Sequence, residues 1–180
     1  MFGYTGYKKS GFTLAEVLIT LGIIGTVAAM TIPTLMTNYQ KQVWESKLKK
    51  IYSITTNACE RMLIEENVSR VNETAVYGEI SNDNLRKYFK IMQDGETVEG
   101  KGFSILLPDS GVLYINAADN GFKFYTDVNG IDTRPNAVGR DEFEFRLDQN
   151  CSYDSNLGEG ASAAATAFKS VIENDWKIPD

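Results

Sequence analysis

The chain contains no histidine. Its absence removes the side chain most often used as a general base near neutral pH, and the commonest nitrogen ligand for a metal. There is no nucleophile elbow, phosphate loop, Cys/His cluster or Ser/His/Asp set, so nothing in the sequence singles out an enzyme. A basic surplus is also missing: 18 Lys and Arg stand against 24 Asp and Glu, a net charge of −6. A nucleic-acid-binding surface normally announces itself as a basic stripe, and none is expected here. Internal repeats are absent, and no low-complexity tract exceeds Ala163-Ala164-Ala165. Charge itself is missing from one long stretch, since the 24 positions from Val17 to Gln40 carry none.

That stretch organises the rest. At about 1.5 Å per residue a helix of this length reaches roughly 36 Å, enough to cross a bilayer core. Lys8 and Lys9 precede it and suit a cytoplasmic N-terminus. A cleaved secretory signal does not fit. The apolar run is too long, and Ala28-Ala29-Met30-Thr31-Ile32-Pro33 continues apolar where a cut site should close it. An ordinary signal anchor fits the charges but leaves Glu16 unexplained. An acid in a spanning segment costs about 2.5–3.5 kcal/mol at the helix centre and less near the end, so something must offset it.

Gly11-Phe12-Thr13-Leu14-Ala15-Glu16-Val17, followed by the apolar run, resembles the N-terminal signal of type IV pilins and type II secretion pseudopilins. The resemblance implies cleavage by a prepilin peptidase between Gly11 and Phe12 and N-methylation of Phe12. Residues 1–11 are then a leader, 12–39 a transmembrane and assembly helix, and 40–180 an extracytoplasmic head that includes the second half of the long helix. Glu16 becomes the fifth mature residue and pairs with the methylated amino terminus of a neighbouring subunit. The expected partners are the prepilin peptidase, other pilin or pseudopilin subunits, an inner-membrane assembly platform and the membrane itself. The expected location is the inner membrane, single-pass, with the head in the periplasm or at the cell surface after assembly. Gly25 and Pro33 lie within the membrane half, and Pro33 should kink or loosen it. In pilins a proline near this depth marks a segment that melts in the filament.

The second half of the helix, from Gln40 to Glu66, turns amphipathic. Trp44, Leu48, Ile51, Thr55, Ala58 and Met62 recur at helical spacing, while Lys41, Glu45, Lys47, Lys49, Lys50 and Arg61 mostly occupy the other side. Asn67 to Gly78 reads as loop. Ser81 reads as an N-cap for a helix over 82–91, with Leu85, Tyr88 and Phe89 inward. Asp94 to Gly102 reads as a Gly-rich connector. Period two then sets in over 103–107, 112–116, 122–127 and 143–147, with turns at Pro108-Asp109-Ser110-Gly111 and Asp119-Asn120-Gly121. Lys123 and the pair Glu144/Arg146 are expected on a wet face. A final helix is expected over 161–174, with Phe168, Val171 and Ile172 making its contacts. The sum is an α+β fold, a long N-terminal helix packed on a sheet of three to four antiparallel strands, which is also the pilin architecture.

Two further features invite chemistry. Cys59 and Cys151 can bridge if the head enters an oxidising compartment, or remain two separate buried thiols. Asp127, Asn129, Asp132, Asp141 and Glu142 cluster in the insertion before the last strand and offer the hard oxygens that Ca²⁺ selects. Several major pseudopilins bind calcium in a loop near this position. The spacing is not that of an EF-hand, and the alternative is a turn-rich loop in which Asp and Asn satisfy the backbone. Asn-x-Ser/Thr triplets at Asn67, Asn72 and Asn150 read as chance in a prokaryotic protein. The competing function is a membrane-anchored extracytoplasmic binding or enzymatic domain that never assembles.

Overall fold

The computed structural model describes residues 11–108, 111–130, 133–158 and 160–179. It divides into two compact units between Gln40 and Lys41, each described by itself.

The first unit is the start of one long helix, α1 (Leu14–Glu65). Its apolar side chains, among them Leu18, Ile19, Ile24 and Met30, are exposed. Four threonines inside the run turn their hydroxyls back onto the helix. Thr20, Thr26, Thr31 and Thr37 each donate to a backbone carbonyl three or four residues back, at 2.9–3.0 Å. Satisfying polar groups within the segment is what a lipid environment requires. The helix runs unbroken through Gly25 and Pro33. At Pro33 the helix lacks an N–H donor, while the carbonyl of Pro33 accepts from Thr37.

In the second unit the remaining turns of α1 bury a stripe of Glu45, Leu48, Ile51, Thr55, Ala58, Cys59 and Met62. Spacings of three and four place these on one side, as the sequence pattern requires. The stripe begins at Glu45 rather than Trp44, so the acid assigned to the solvent side is buried instead. Loop was expected over 67–78. It contains a 3-10 turn at Val71–Glu73 and a single helical turn, α2 (Ala75–Gly78), capped by the Thr74 hydroxyl. Ser81 does cap a helix, but α3 (Asn82–Leu85) is one turn long rather than ten residues. Leu85, Tyr88 and Phe89 are buried as expected.

Among the described residues the sheet has five antiparallel strands in sequential order: β1 (Thr97–Val98), β2 (Gly102–Leu106), β3 (Val112–Ala118), β4 (Gly121–Asp127) and β5 (Glu142–Leu147). The three to four strands expected are thus a five-strand meander. The additional strand has only two residues, Thr97 paired with Phe103 and Val98 with Gly102. Two residues are too few to display an alternating pattern, and the surrounding glycines read as a connector. Gly121, at the β3–β4 turn, has φ +124, and a Cβ there would collide with the Leu147 carbonyl, so the turn demands glycine.

Alternation sorts the strands. Leu113 and Ile115, Phe122 and Phe124, and Phe143, Phe145 and Leu147 join the buried stripe of α1 in one core. Burial of each such side chain contributes about 1.5–3 kcal/mol. The last helix, α4 (Ala163–Glu173), starts at the Ser162 cap and stacks Phe168 on Phe145 with ring centroids 4.9 Å apart. The result is α+β and pilin-like: a helix packed against an antiparallel sheet.

Candidate functional site

The N-terminal segment is built on a capping box. The Thr13 N–H and the Thr13 hydroxyl both donate to Glu16 Oε2 at 2.8 Å, and the Glu16 N–H points back to Thr13 Oγ1 at 3.3 Å. Thr13 and Glu16 therefore satisfy backbone donors that the first helical turn would otherwise leave orphaned. A carboxylate there also meets the positive end of the helix dipole. The signature is Thr-x-x-Glu, and it was present in the sequence. Gly11 and Phe12 stand just before this cap, both exposed, Phe12 at 90%. The Gly11–Phe12 bond and the Glu16 carboxylate are thereby brought to one helix end, accessible to another protein.

The acidic insertion behaves differently. Asp127 is 3% exposed and Asp141 fully buried. Asp127 Oδ1 accepts from the N–H groups of Asn129 and Gly130 at 3.2 and 3.1 Å. Asp141 accepts from the N–H groups of Asn136 and Ala137 at 2.8 and 2.7 Å, one on each oxygen. Asn129 donates its amide to the Arg134 carbonyl at 3.2 Å. The carboxylates thus hold up the loop's own backbone. Among the described residues, no three His, Cys, Asp or Glu side chains converge as a metal would need. Asp132 lies outside the described residues. Of the described members of the expected calcium set, Asp127, Asn129, Asp141 and Glu142, the first three are engaged by the loop's own backbone. Burial pushes the Asp127 carboxyl above its ordinary value, the two backbone N–H groups partly opposing this.

Two attachments pin the head to its helix. Cys59 on α1 and Cys151 after β5 form a disulfide, Cα–Cα 5.6 Å, closing a separation of 92 residues. Glu45, on the same buried stripe of α1 as Leu48, captures the C-terminal tail. Lys177 Nζ lies 3.2 Å from Oε2, and the Ile178 N–H donates to Oε1 at 3.0 Å. The outer sheet face is less wet than alternation alone suggests. Glu144 is buried, held by Lys123, Arg146 and the Ser162 hydroxyl at 3.2, 3.5 and 2.8 Å. On α1's far end Tyr88 donates to Glu66 at 2.7 Å, and burial together with that carboxylate pushes its phenol up to about 12.

These features describe a capped, exposed start to α1 and an α+β head whose disulfide and C-terminal tail are tied to the second half of that helix. A family model described as "Prokaryotic N-terminal methylation motif" matches residues 7–32. "Type II secretion system core protein G" of Pectobacterium carotovorum subsp. carotovorum is 34% identical over 53 residues, which are 29% of this chain and 34% of that protein. The chain thus matches about a third of the length of that curated relative. No solved structure matches. Both findings support the pilin/pseudopilin family that the Gly11–Val17 motif resembles.

Proposed function

We propose that the chain is a structural subunit of a type IV pilus-like filament or a type II secretion pseudopilus. A prepilin peptidase removes residues 1–11 and methylates Phe12. The apolar part of α1 anchors the chain in the inner membrane with the head outside the cytoplasm, and later packs against the same segment of neighbouring subunits. Cleavage creates an amino group at Phe12, one residue from the Thr13 N–H that Glu16 already accepts. A carboxylate in low dielectric needs a cation, and the amino terminus of a neighbouring subunit supplies one. Pro33, which withdraws a backbone donor, marks the place where the packed helix loosens most readily.

The observation that carries this reading is the methylation motif over residues 7–32 set directly against an exposed Gly11–Phe12 bond and the Glu16 cap. Intact-mass and N-terminal sequencing of the chain from a host with prepilin peptidase tests it. The expected product begins at N-methyl-Phe12. A chain that keeps residues 1–11 beside a processed control pilin overturns the assignment.

A further inference from the structure

The insertion between β4 and β5 is braced from beneath and unpaired on top. Two buried carboxylates, Asp127 and Asp141, hold its ends through the N–H groups of Asn129, Gly130, Asn136 and Ala137. Backbone bonds close it on itself: Thr133 N–H to the Gly130 carbonyl, Arg140 N–H to the Ala137 carbonyl and Gly139 N–H to the Glu142 carbonyl, each 3.0 Å. A Cβ on Gly139 would stand 3.3 Å from the Ala167 Cβ, so the loop also lies against α4. A loop held this way has little conformational entropy left to lose when its outer side chains are bound. Those include Arg134, Val138 and Arg140, all exposed. Among the described residues, no ion pair or side-chain hydrogen bond engages either guanidinium. Arginine beside exposed apolar surface is a composition typical of protein interfaces.

The opposite edge of the same sheet carries the reverse charge. β1 is the edge strand, and Glu96 and Glu99 flank it on either side in sequence. Both are exposed, and neither has a cation among the described residues. Asp94, two residues earlier, is already paired with Arg86. β1 and β5 are the two ends of a five-strand sheet, so at about 4.8 Å per strand they stand roughly 19 Å apart. The arginines and these glutamates therefore do not neutralise one another within one chain. Lying on opposite edges, they match only head to tail: the loop of one copy against the edge of the next. Such a heterologous contact leaves a free loop at one end and a free edge at the other, and so propagates into a filament instead of closing as a pair.

We propose that Arg134 and Arg140 of one copy dock on Glu96 and Glu99 of the next, a contact between heads. This rests on the reading of the chain as a filament subunit, and it gives the head its own part in an assembly otherwise carried by α1. The occupant is a second copy and not a nucleic acid or another anionic polymer. Residues 51–180 carry 12 Lys and Arg against 22 Asp and Glu, a surplus of acid that repels a polyanion while supplying the complementary patch. Guanidinium and carboxylate match in shape as well as charge, since the planar fork of donors takes both carboxylate oxygens. Val138, 48% exposed between the two arginines in sequence, supplies apolar surface for the same contact to cover.

The test uses the full chain in a host with prepilin peptidase and assembly machinery, reading sheared filament yield beside leader cleavage and the amount of chain in the membrane. Arg134→Glu/Arg140→Glu should lower filament yield at least tenfold with cleavage and amount unchanged, and Glu96→Arg/Glu99→Arg should do the same. Arg70→Glu/Lys90→Glu, an equal change of charge at exposed positions elsewhere on the head, should leave the yield intact. The two interface variants co-expressed should form mixed filaments, because each offers the patch the other lacks. The chain carrying all four reversals should assemble to within a few-fold of wild type, which also shows that the substituted heads fold. Normal assembly of either interface variant overturns the proposal, as does an equal loss in the Arg70/Lys90 control, which would assign the effect to net charge. Failure of both the mixture and the fourfold variant also overturns it, and leaves Glu96 and Glu99 as charges that guard the sheet edge against strand pairing. A wild-type chain that is not assembled beside a control pilin overturns the filament reading and this contact with it.

Discussion

Glu45 on α1 and Ile178 near the C-terminus are joined by a hydrogen bond of 3.0 Å across 133 residues of sequence. The same carboxylate takes Lys177 Nζ at 3.2 Å, although Lys177 is largely exposed and that ion pair is weak. The buried N–H···carboxylate bond is the stronger half. Behind it Trp176 packs on Tyr52 and Phe168, with centroids 5.3 and 6.0 Å apart. Glu45→Ala leaves the Ile178 N–H without its acceptor and should cost about 1–3 kcal/mol in urea-melt stability. Glu45→Gln keeps an acceptor oxygen and should cost less. Equal losses in the two variants would place the effect elsewhere than in this bond.

The Cys59–Cys151 bridge closes a long loop. In the chain-entropy model a loop of this length contributes about 4–5 kcal/mol, most of it by restricting the unfolded chain. The double variant Cys59→Ala/Cys151→Ala should therefore shift the urea midpoint strongly, and the oxidised wild type should show the same shift on reduction. A midpoint that does not move with reductant would show that the packing of α1 on the sheet suffices by itself.

Asp127 should make stability fall, not rise, as pH increases. Burial raises its folded pKa above the ordinary 3.8, so over the window just above that value the folded chain binds more protons than the unfolded one. Stability from this group is present below the window and is lost as pH rises through the folded pKa. Asp127→Asn retains an oxygen for the Asn129 and Gly130 N–H groups and removes the titration. Compared with wild type, the variant should be unchanged or more stable at neutral pH, with its relative advantage shrinking in acid. A variant that is less stable at neutral pH would show that the carboxylate charge is needed.

The same loop yields a metal test. Asp127 and Asp141 already bind backbone N–H groups through the oxygens a cation would use. The thermal midpoint should be the same with calcium and with EGTA. A rise of several degrees with calcium would mean that the loop rearranges to take the ion.

Glu16 carries two roles that substitution can separate. Glu16→Gln keeps an oxygen for the Thr13 donors and so preserves the capping box, but removes the charge. Glu16→Ala removes both. Leader cleavage should survive in each, and filament assembly should fail in each if the charge is what assembly requires. Assembly by the Gln variant but not by the Ala variant would show that the cap, not the charge, matters.

The sequence alone determined the elements with a strong period and the residues with local chemistry. The uncharged run from Val17 to Gln40, the alternation of β2 to β5 and the Ser81 cap were legible because each depends on neighbours a few residues away. The Gly11–Val17 motif was legible for the same reason. Only the tertiary structure decided which polar residues are buried. Glu45 and Glu144 looked like solvent-side charges, because periodicity records where a side chain points and not what folds over it. The C-terminal tail closes on the first and the Ser162 cap on the second, and both arrive from more than a dozen residues away. The acidic insertion offered the right atoms for calcium, but atoms in sequence do not say which donors claim them. In the folded loop the nearest backbone N–H groups do, because an unpaired buried N–H is costly and a local carboxylate is the closest acceptor.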